Sequence, residues 1–408
     1  MKALHTLGIV SALWVAAPGI AWSTDWELSA DMRLIDSDGQ TSLFDGGLGT
    51  LRYDSDHEDV QVGRLRAALT QPLGDVWALK LDASYWGQDD AHPLGLTEAF
   101  LEYRPYPVDG WRTRVRIGGF YPPVSLEDTA SGWSSPYTIS NSALNSWIGE
   151  EIRTIGVEGS VEWLGTRLGH DFDLGATAGV FGWNDPAGVV VATGGFSLND
   201  FQTPIGGYVG GRGSPVFPEN QLFHEIDGHA GFYVGAQARY LDRVTFLALH
   251  YDNRANPEDE DFATDEYAWD THFNSLGVRV DTESGWTAIV QWMAGTTSVA
   301  PEGDSYSWPF YAKFALISRQ WGRSTLSARY DIFGVDSNAD GDFGDEDGHA
   351  WTVAYIFNQS LHWRFALEWL HVTSEVASRA ILLNEPTFAR ENQTQLSIRY
   401  TIGSDRLY

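Results

Sequence analysis

The feature that most limits what this chain can become is a strict alternation of apolar and polar residues, repeated from one end to the other. Over 394–402, Leu396, Ile398, Tyr400 and Ile402 fall on one side, and Gln395, Ser397, Arg399 and Thr401 on the other. Strand side chains point to opposite faces with a period of two, so each such segment is a strand with one apolar and one polar face. About sixteen of them follow one another, and membrane barrels are built from an even number of antiparallel strands. No helical pattern, linker or low-complexity tract divides the series. The expected fold is all-β: one transmembrane antiparallel β-barrel, apolar outside and wet inside.

The strands expected are 25–36, 60–71, 75–87, 94–104, 111–120, 151–163, 170–183, 229–241, 243–253, 270–281, 285–296, 307–319, 323–335, 349–358, 361–373 and 392–402. Connections after even strands are short, as at Pro72–Gly74, Thr282–Ser284 and Gln320–Gly322. Most connections after odd strands are longer and more acidic. Short periplasmic turns opposite long outer loops are the asymmetry of outer-membrane barrels. Segment 187–198 is a candidate for a further strand, which would raise the count to 18. On 75–87, Trp77, Leu79, Leu81, Ala83 and Tyr85 should face lipid, with Lys80, Asp82 and Ser84 inside. On 361–373, Trp363, Leu367 and Trp369 should face out, with Arg364 and Glu368 inside. Strand 243–253 is ambiguous, because Leu247, Leu249 and Tyr251 compete with Val244, Phe246 and Ala248. Trp77, Trp111, Trp163, Trp286 and Trp363 sit near short turns, where an indole buries its ring and keeps its N–H wet.

Residues 1–21 read as a signal peptide: Lys2, an apolar run from Leu7 to Ala17, and small residues for cleavage near 21–23. The run is shorter than the ~20 residues of a spanning helix. The remainder, 24–408, forms a single barrel. There is no cysteine, which removes disulfides and thiol chemistry. A formal net charge of -29 excludes nucleic acid as a partner.

The segment WRTRVRIGG places Arg112, Arg114 and Arg116 on one face of one strand. A lipid-facing arginine at mid-membrane costs about 2–4 kcal/mol, so all three face the lumen, roughly 6.6–7 Å apart. Arg64 and Arg66 form a shorter version. Between them in the sheet stand Lys80 and Asp82, then Glu98, Glu102 and Arg104. These charges are either cross-wall ion pairs, with Glu98 and Glu102 as the partners, or a charged constriction that sorts solutes by field. Loop 121–150 carries Tyr121, Trp133, Tyr137 and Trp147, enough packing material to fold inward and narrow the lumen. The glycine-rich stretch 184–228 is a second candidate.

The order RVRIGGFYPPVSLEDT, then SPYTISNSALNSWIGEEIRTIGVEGS, resembles outer-membrane porins of the phosphate-selective O and P type, in which a GxFxPPxSLE run opens the constriction loop. The resemblance is clearest over about 100–165. It implies sixteen strands, a homotrimer, inward arginines at Arg112, Arg114 and Arg116, and Glu127 and Asp128 near the constriction. That family's phosphate specificity depends on a lysine cluster. Only Lys2, Lys80 and Lys313 occur here, so the resemblance implies a porin without phosphate specificity.

Residues 336–347 match the spacing of a calcium loop, with Asp336, Asn338, Asp340 and Asp342 at positions one to seven, Gly341 at the turn and Asp347 at twelve. A solvated acidic hairpin tip reads the same way. The acidic loop 254–270 has no ligand spacing and suits cation bridges to lipopolysaccharide. HEIDGH at 224–229 spaces its histidines one residue too far for a helical zinc motif. No nucleophile or nucleotide motif is present, so no enzyme and no required cofactor are expected. The reading is a passive, mildly anion-preferring porin for small hydrophilic solutes in a Gram-negative outer membrane. The alternative is a structural or adhesive barrel with a plugged lumen, whose loops bind calcium or lipopolysaccharide.

Overall fold

The computed structural model describes residues 24–87, 94–264, 266–339 and 343–404. The signal peptide with its cleavage region, Asp340 to Asp342 of the calcium-type loop, and the tail 405–408 lie outside the described residues. The chain forms a closed antiparallel barrel of sixteen strands. The first eight are β1 (Asp25–Ser37), β2 (Asp59–Leu73), β3 (Trp77–Tyr85), β4 (Leu94–Tyr103), β5 (Trp111–Phe120), β6 (Thr154–Trp163), β7 (Phe172–Gly182) and β8 (Gly231–Tyr240). The others are β9 (Val244–Asp252), β10 (Asp270–Asp281), β11 (Trp286–Val299), β12 (Tyr306–Trp321), β13 (Ser324–Val335), β14 (Glu346–Asn358), β15 (Trp363–Val376) and β16 (Phe388–Gly403). Each strand pairs with its sequence neighbours, and β1 closes the ring against β16, with Leu28 opposite Ile402 and Leu34 opposite Leu396.

Closure satisfies every strand edge, which an open sheet in lipid cannot do. The outward side chains are apolar and exposed: Leu28, Leu65, Leu101, Val157, Leu174, Phe246, Leu276, Val290, Ile317, Val353 and Leu367 all stand in this band. Among described residues, no helix is long and apolar enough to span a membrane. Trp77, Trp111, Trp286 and Trp363 are exposed beside the short turns. This is the surface of a barrel that stands in lipid, with aromatic rings at its lower margin.

Segment 187–198 is not a strand. It holds the short helix α2 (Val189–Thr193), whose Val189 to Ala192 are all buried inside the barrel. A two-sided apolar run bounded by glycines suits either state by pattern; here Gly188, at φ 113°, turns the chain into the helix. The ambiguity of β9 also has a cause. Phe246 faces lipid, while Leu249 and Tyr251 face inward and are buried. Both faces are apolar because the inner face meets packed loops and not water.

Candidate functional site

Three long loops enter the barrel from one end. They are 38–58, 121–153 and 183–230. The second carries α1 (Ala143–Glu151), capped by Ser142, whose Oγ accepts from the Asn145 N–H, and every residue of α1 is buried. Trp147 packs edge-on to Phe273 and against Phe310 of the wall. Leu43, Leu51, Leu144, Ile148, Val190, Phe196 and Phe201 join the same core. The loops also bond to one another: the Leu198 N–H donates to the Thr50 carbonyl, and the Asn141 N–H to the Asn199 carbonyl, both at 2.9 Å. A backbone this deep must find partners inside the protein, and it finds them in the neighbouring loop.

Wall side chains hold loop 121–153 in place. Glu368 of β15 accepts from the N–H of Ile139 at 2.6 Å and from the Ser140 hydroxyl at 2.6 Å. Gln291 of β11 donates to the Val124 carbonyl at 2.6 Å and accepts from the Leu126 N–H at 3.1 Å. Arg329 of β13 is the main brace. Its side chain has 0 % exposure and donates to Glu127 at 2.7 Å, Asp331 at 2.8 Å, and the carbonyls of Ser140 and Asn141 at 2.8 Å each. Glu127, expected near a constriction, is thus fully buried in this brace. Asp128 is also buried, and burial together with the neighbouring Glu127 pushes its carboxyl well above the usual range. Glu151 caps α2, accepting from the N–H groups of Gly188 at 3.0 Å and Val190 at 2.9 Å and from the Trp147 indole. Burial raises it to about 8, and raises its neighbour Glu150 to about 7.

Below the loops, toward the short turns, the lumen opens into polar cavities. One of about 310 Å³ is lined by Arg66, Lys80, Asp82, Glu98, Glu102, Arg114 and Arg116. A second holds Arg104, Arg112, Arg114, Glu162 and Arg239. The arginines of β5 do not pair with Glu98 and Glu102. Strand register sets Arg116 opposite Glu158 and Arg112 opposite Glu162 of β6. Glu158 takes Arg116 at 2.7 Å and Arg114 at 3.2 Å, and also accepts from the Tyr233 hydroxyl at 2.7 Å. Arg112 pairs with Glu162. Glu102 takes Lys80 at 3.0 Å instead, and Glu98 accepts from the Tyr121 N–H at 3.3 Å. Pairing across the next strand was legible in the alternation of β6, where Glu158 and Glu162 share the inward face.

Arg64 and Arg66 sit beneath the loop tip. Arg66 pairs with Asp82 at 2.5 Å and with Glu27. Arg64 donates to Ser84 at 2.9 Å and to the Gly132 carbonyl at 2.9 Å. Gly132 has φ of 69°, and a Cβ there would meet the Arg66 guanidinium, so glycine alone lets the tip rest on both arginines. A second network leaves no signal in the local pattern: Asp200 of the third loop is held by Arg33 at 2.5 Å and Arg52 at 2.7 Å. Of the calcium-type residues described, Asn338 accepts from the Ser307 N–H at 2.7 Å and Asp347 from the Tyr311 hydroxyl at 3.2 Å. Asp336 donates its backbone N–H to the Pro309 carbonyl at 2.8 Å.

No protein-family model matches the chain, and no curated protein matches it. Solved structures do. A loop L8 deletion mutant of OmpT, an outer membrane protein of Vibrio cholerae, is 12% identical, with 94% of this chain and 100% of that one covered, at a TM-score of 0.54. The trimer form of in-vitro folded OmpT of Vibrio cholerae gives 12%, 94%, 100% and 0.51. The outer membrane channel DcaP of Acinetobacter baumannii gives 12%, 93%, 96% and 0.52. At this identity the likeness shows a shared barrel fold alone.

Proposed function

We propose that this chain is a porin-type channel of a Gram-negative outer membrane. It passes small hydrophilic solutes without chemistry and prefers anions mildly. The observation that carries this is the arginine-lined polar lumen beneath an inward-folded loop. The apolar outer band, the short turns at one end, and the fold shared with an outer membrane channel support the location. The resemblance to O and P type porins supports the loop's role, while three lysines argue against phosphate specificity.

The preference is mild for a physical reason. Glu158 and Glu162 neutralise much of the β5 ladder, yet the Arg112 and Arg114 side chains remain 26% and 35% exposed to the lumen. Acidic outer loops attract cations but stand in open water, screened within about 8 Å at physiological salt. Lumen charges face low-dielectric walls that focus their field. In a planar bilayer under a salt gradient, the zero-current potential should report anion preference, and Arg112, Arg114 and Arg116 changed together to Gln should shift it toward cations. An unchanged potential would refute the ladder as the filter.

A homotrimer is what the resemblance to O and P type porins implies. Outward-facing polar pairs, His250 with Asn274 at 3.0 Å and His371 with Asn392 at 2.7 Å, stand toward the loop ends of their strands, and a subunit contact would cover one of them. The complete burial of α1 favours a second reading, a plugged barrel that serves as an adhesive or structural body. Bilayer recording separates the two: steady open steps support the channel, and silence supports the plug.

A further inference from the structure

The wall at β15 and β16, where the ring closes on β1, holds a charge arrangement that the protein does not itself balance. Strand register sets Arg364 of β15 directly opposite Arg399 of β16. Like charges at directly opposed positions are destabilising. Arg399 reaches Asp31 at 3.4 Å, but that carboxylate already takes Arg33 at 2.9 Å and the Ser397 hydroxyl at 2.5 Å. Glu368, four residues from Arg364 on the same face, is occupied by the loop N–H of Ile139, by Ser140 and by Gln395. Among the described residues, the Arg364 Nη2 is shielded from solvent and has no hydrogen-bond partner. A guanidinium in that condition is costly unless a counter-charge reaches it.

Both arginines line a cavity of about 400 Å³ that extends from the short turn at Ser360 up to the loop tip at Ser131, Ser134 and Ser135. Arg64 and Arg66 border the same space. Guanidinium forks match planar or tetrahedral oxyanions through paired N–H donors, and the Ser131 and Ser135 hydroxyls, which among the described residues only accept, add neutral donors. We propose that Arg364 and Arg399 form a binding site for the oxyanion group of a small solute, a carboxylate or a phosphate, at the inner end of the lumen. The site deepens the channel reading, since an anion leaving the lumen would rest there, but equilibrium binding does not require conduction.

The test is calorimetric titration of the detergent-purified full barrel at low ionic strength, with acetate and with inorganic phosphate as separate probes. Binding of at least one probe should weaken about tenfold or more in Arg364→Gln and in Arg399→Gln, and persist in Arg112→Gln. Arg364→Lys, which keeps the charge but loses the fork, should retain part of it. Whichever probe binds identifies the solute group. Equal affinity in the parent and Arg364→Gln would overturn the site, as would loss in Arg112→Gln alone. Absence of binding by both probes in a correctly folded parent would overturn it as well. If Arg364→Gln does not fold, Arg399→Gln decides, because Arg399 has Asp31 as a second partner. A conducting barrel that binds neither probe would sink this site while leaving the channel intact; a silent barrel that binds one would do the reverse.

Discussion

Changing Arg329 to Met tests whether loop 121–153 is held by charge or by apolar packing alone. Arg329 donates to two carboxylates and two loop carbonyls from a position with no exposure. Removing one partner of a buried pair costs about 3–5 kcal/mol, because the other charge is left uncompensated. Glu127 on the loop would be left so, and Asp331 beside it on the wall. Sixteen strands are closed by their own ladders, so the loss should fall on the loop and not on the barrel. Converted at 1.4 kcal/mol per tenfold, loop release should become roughly a hundredfold to several thousandfold more populated. Amide hydrogen exchange across 138–147 should accelerate by that factor, while strand amides keep their protection. Bilayer steps should grow or flicker as the loop leaves the lumen. Adding Glu127→Gln should recover part of the protection, since removing both charges is far less costly than orphaning one. Unchanged exchange over 138–147 in Arg329→Met would refute the brace, and leave the apolar contacts of Trp147 and Ile148 as the whole anchor.

Other outcomes follow from the loops. Burial raises Glu151 to about 8 and Glu150 to about 7; a carboxyl raised in the folded state adds most to loop packing below its unfolded value, and that contribution is lost as pH rises through 7 to 8. Loop amides should therefore exchange faster at pH 9 than at pH 6 beyond the intrinsic rate change, and Glu151→Gln should flatten the difference; a flat profile in the parent would show that both acids are already ionised in the packed loop at pH 6 and that burial does not raise them. A membrane-impermeant label at a cysteine placed at Phe262, which is 88% exposed, should react on intact cells, while one at Glu283 should not, and the reverse pattern would invert the barrel. Calcium should bind weakly at 336–347, with a Kd of about 10⁻⁴–10⁻³ M as in extracellular modules, and changing Asp336 and Asp340 to Ala should abolish it; identical calorimetry for parent and variant would leave the segment a charged tip.

Strand positions and the closed barrel were legible in the sequence because a period of two and an apolar outer face are local properties. Trp363, Leu367 and Trp369 must face lipid wherever the strand lies, and a buried strand edge must be paired, so the ring has to close. The inward face of β5 was legible for the same reason, as an arginine in lipid is too costly. What local pattern does not contain is which side chain meets which across the lumen. Register sets Arg116 between Glu102 of β4 and Glu158 of β6, and it pairs with Glu158 while Glu102 takes Lys80. Arg33 and Arg52 meet Asp200, and Arg329 meets Glu127, across separations of well over a hundred residues. Val189 to Ala192 became a buried helix and not a strand because the loops supply each other's backbone partners inside the barrel. The sequence by itself determined the wall, since each strand answers to lipid and to its neighbour. The contents of the lumen, including the unbalanced pair Arg364 and Arg399, were decided only when closure brought distant segments into one confined, low-dielectric space.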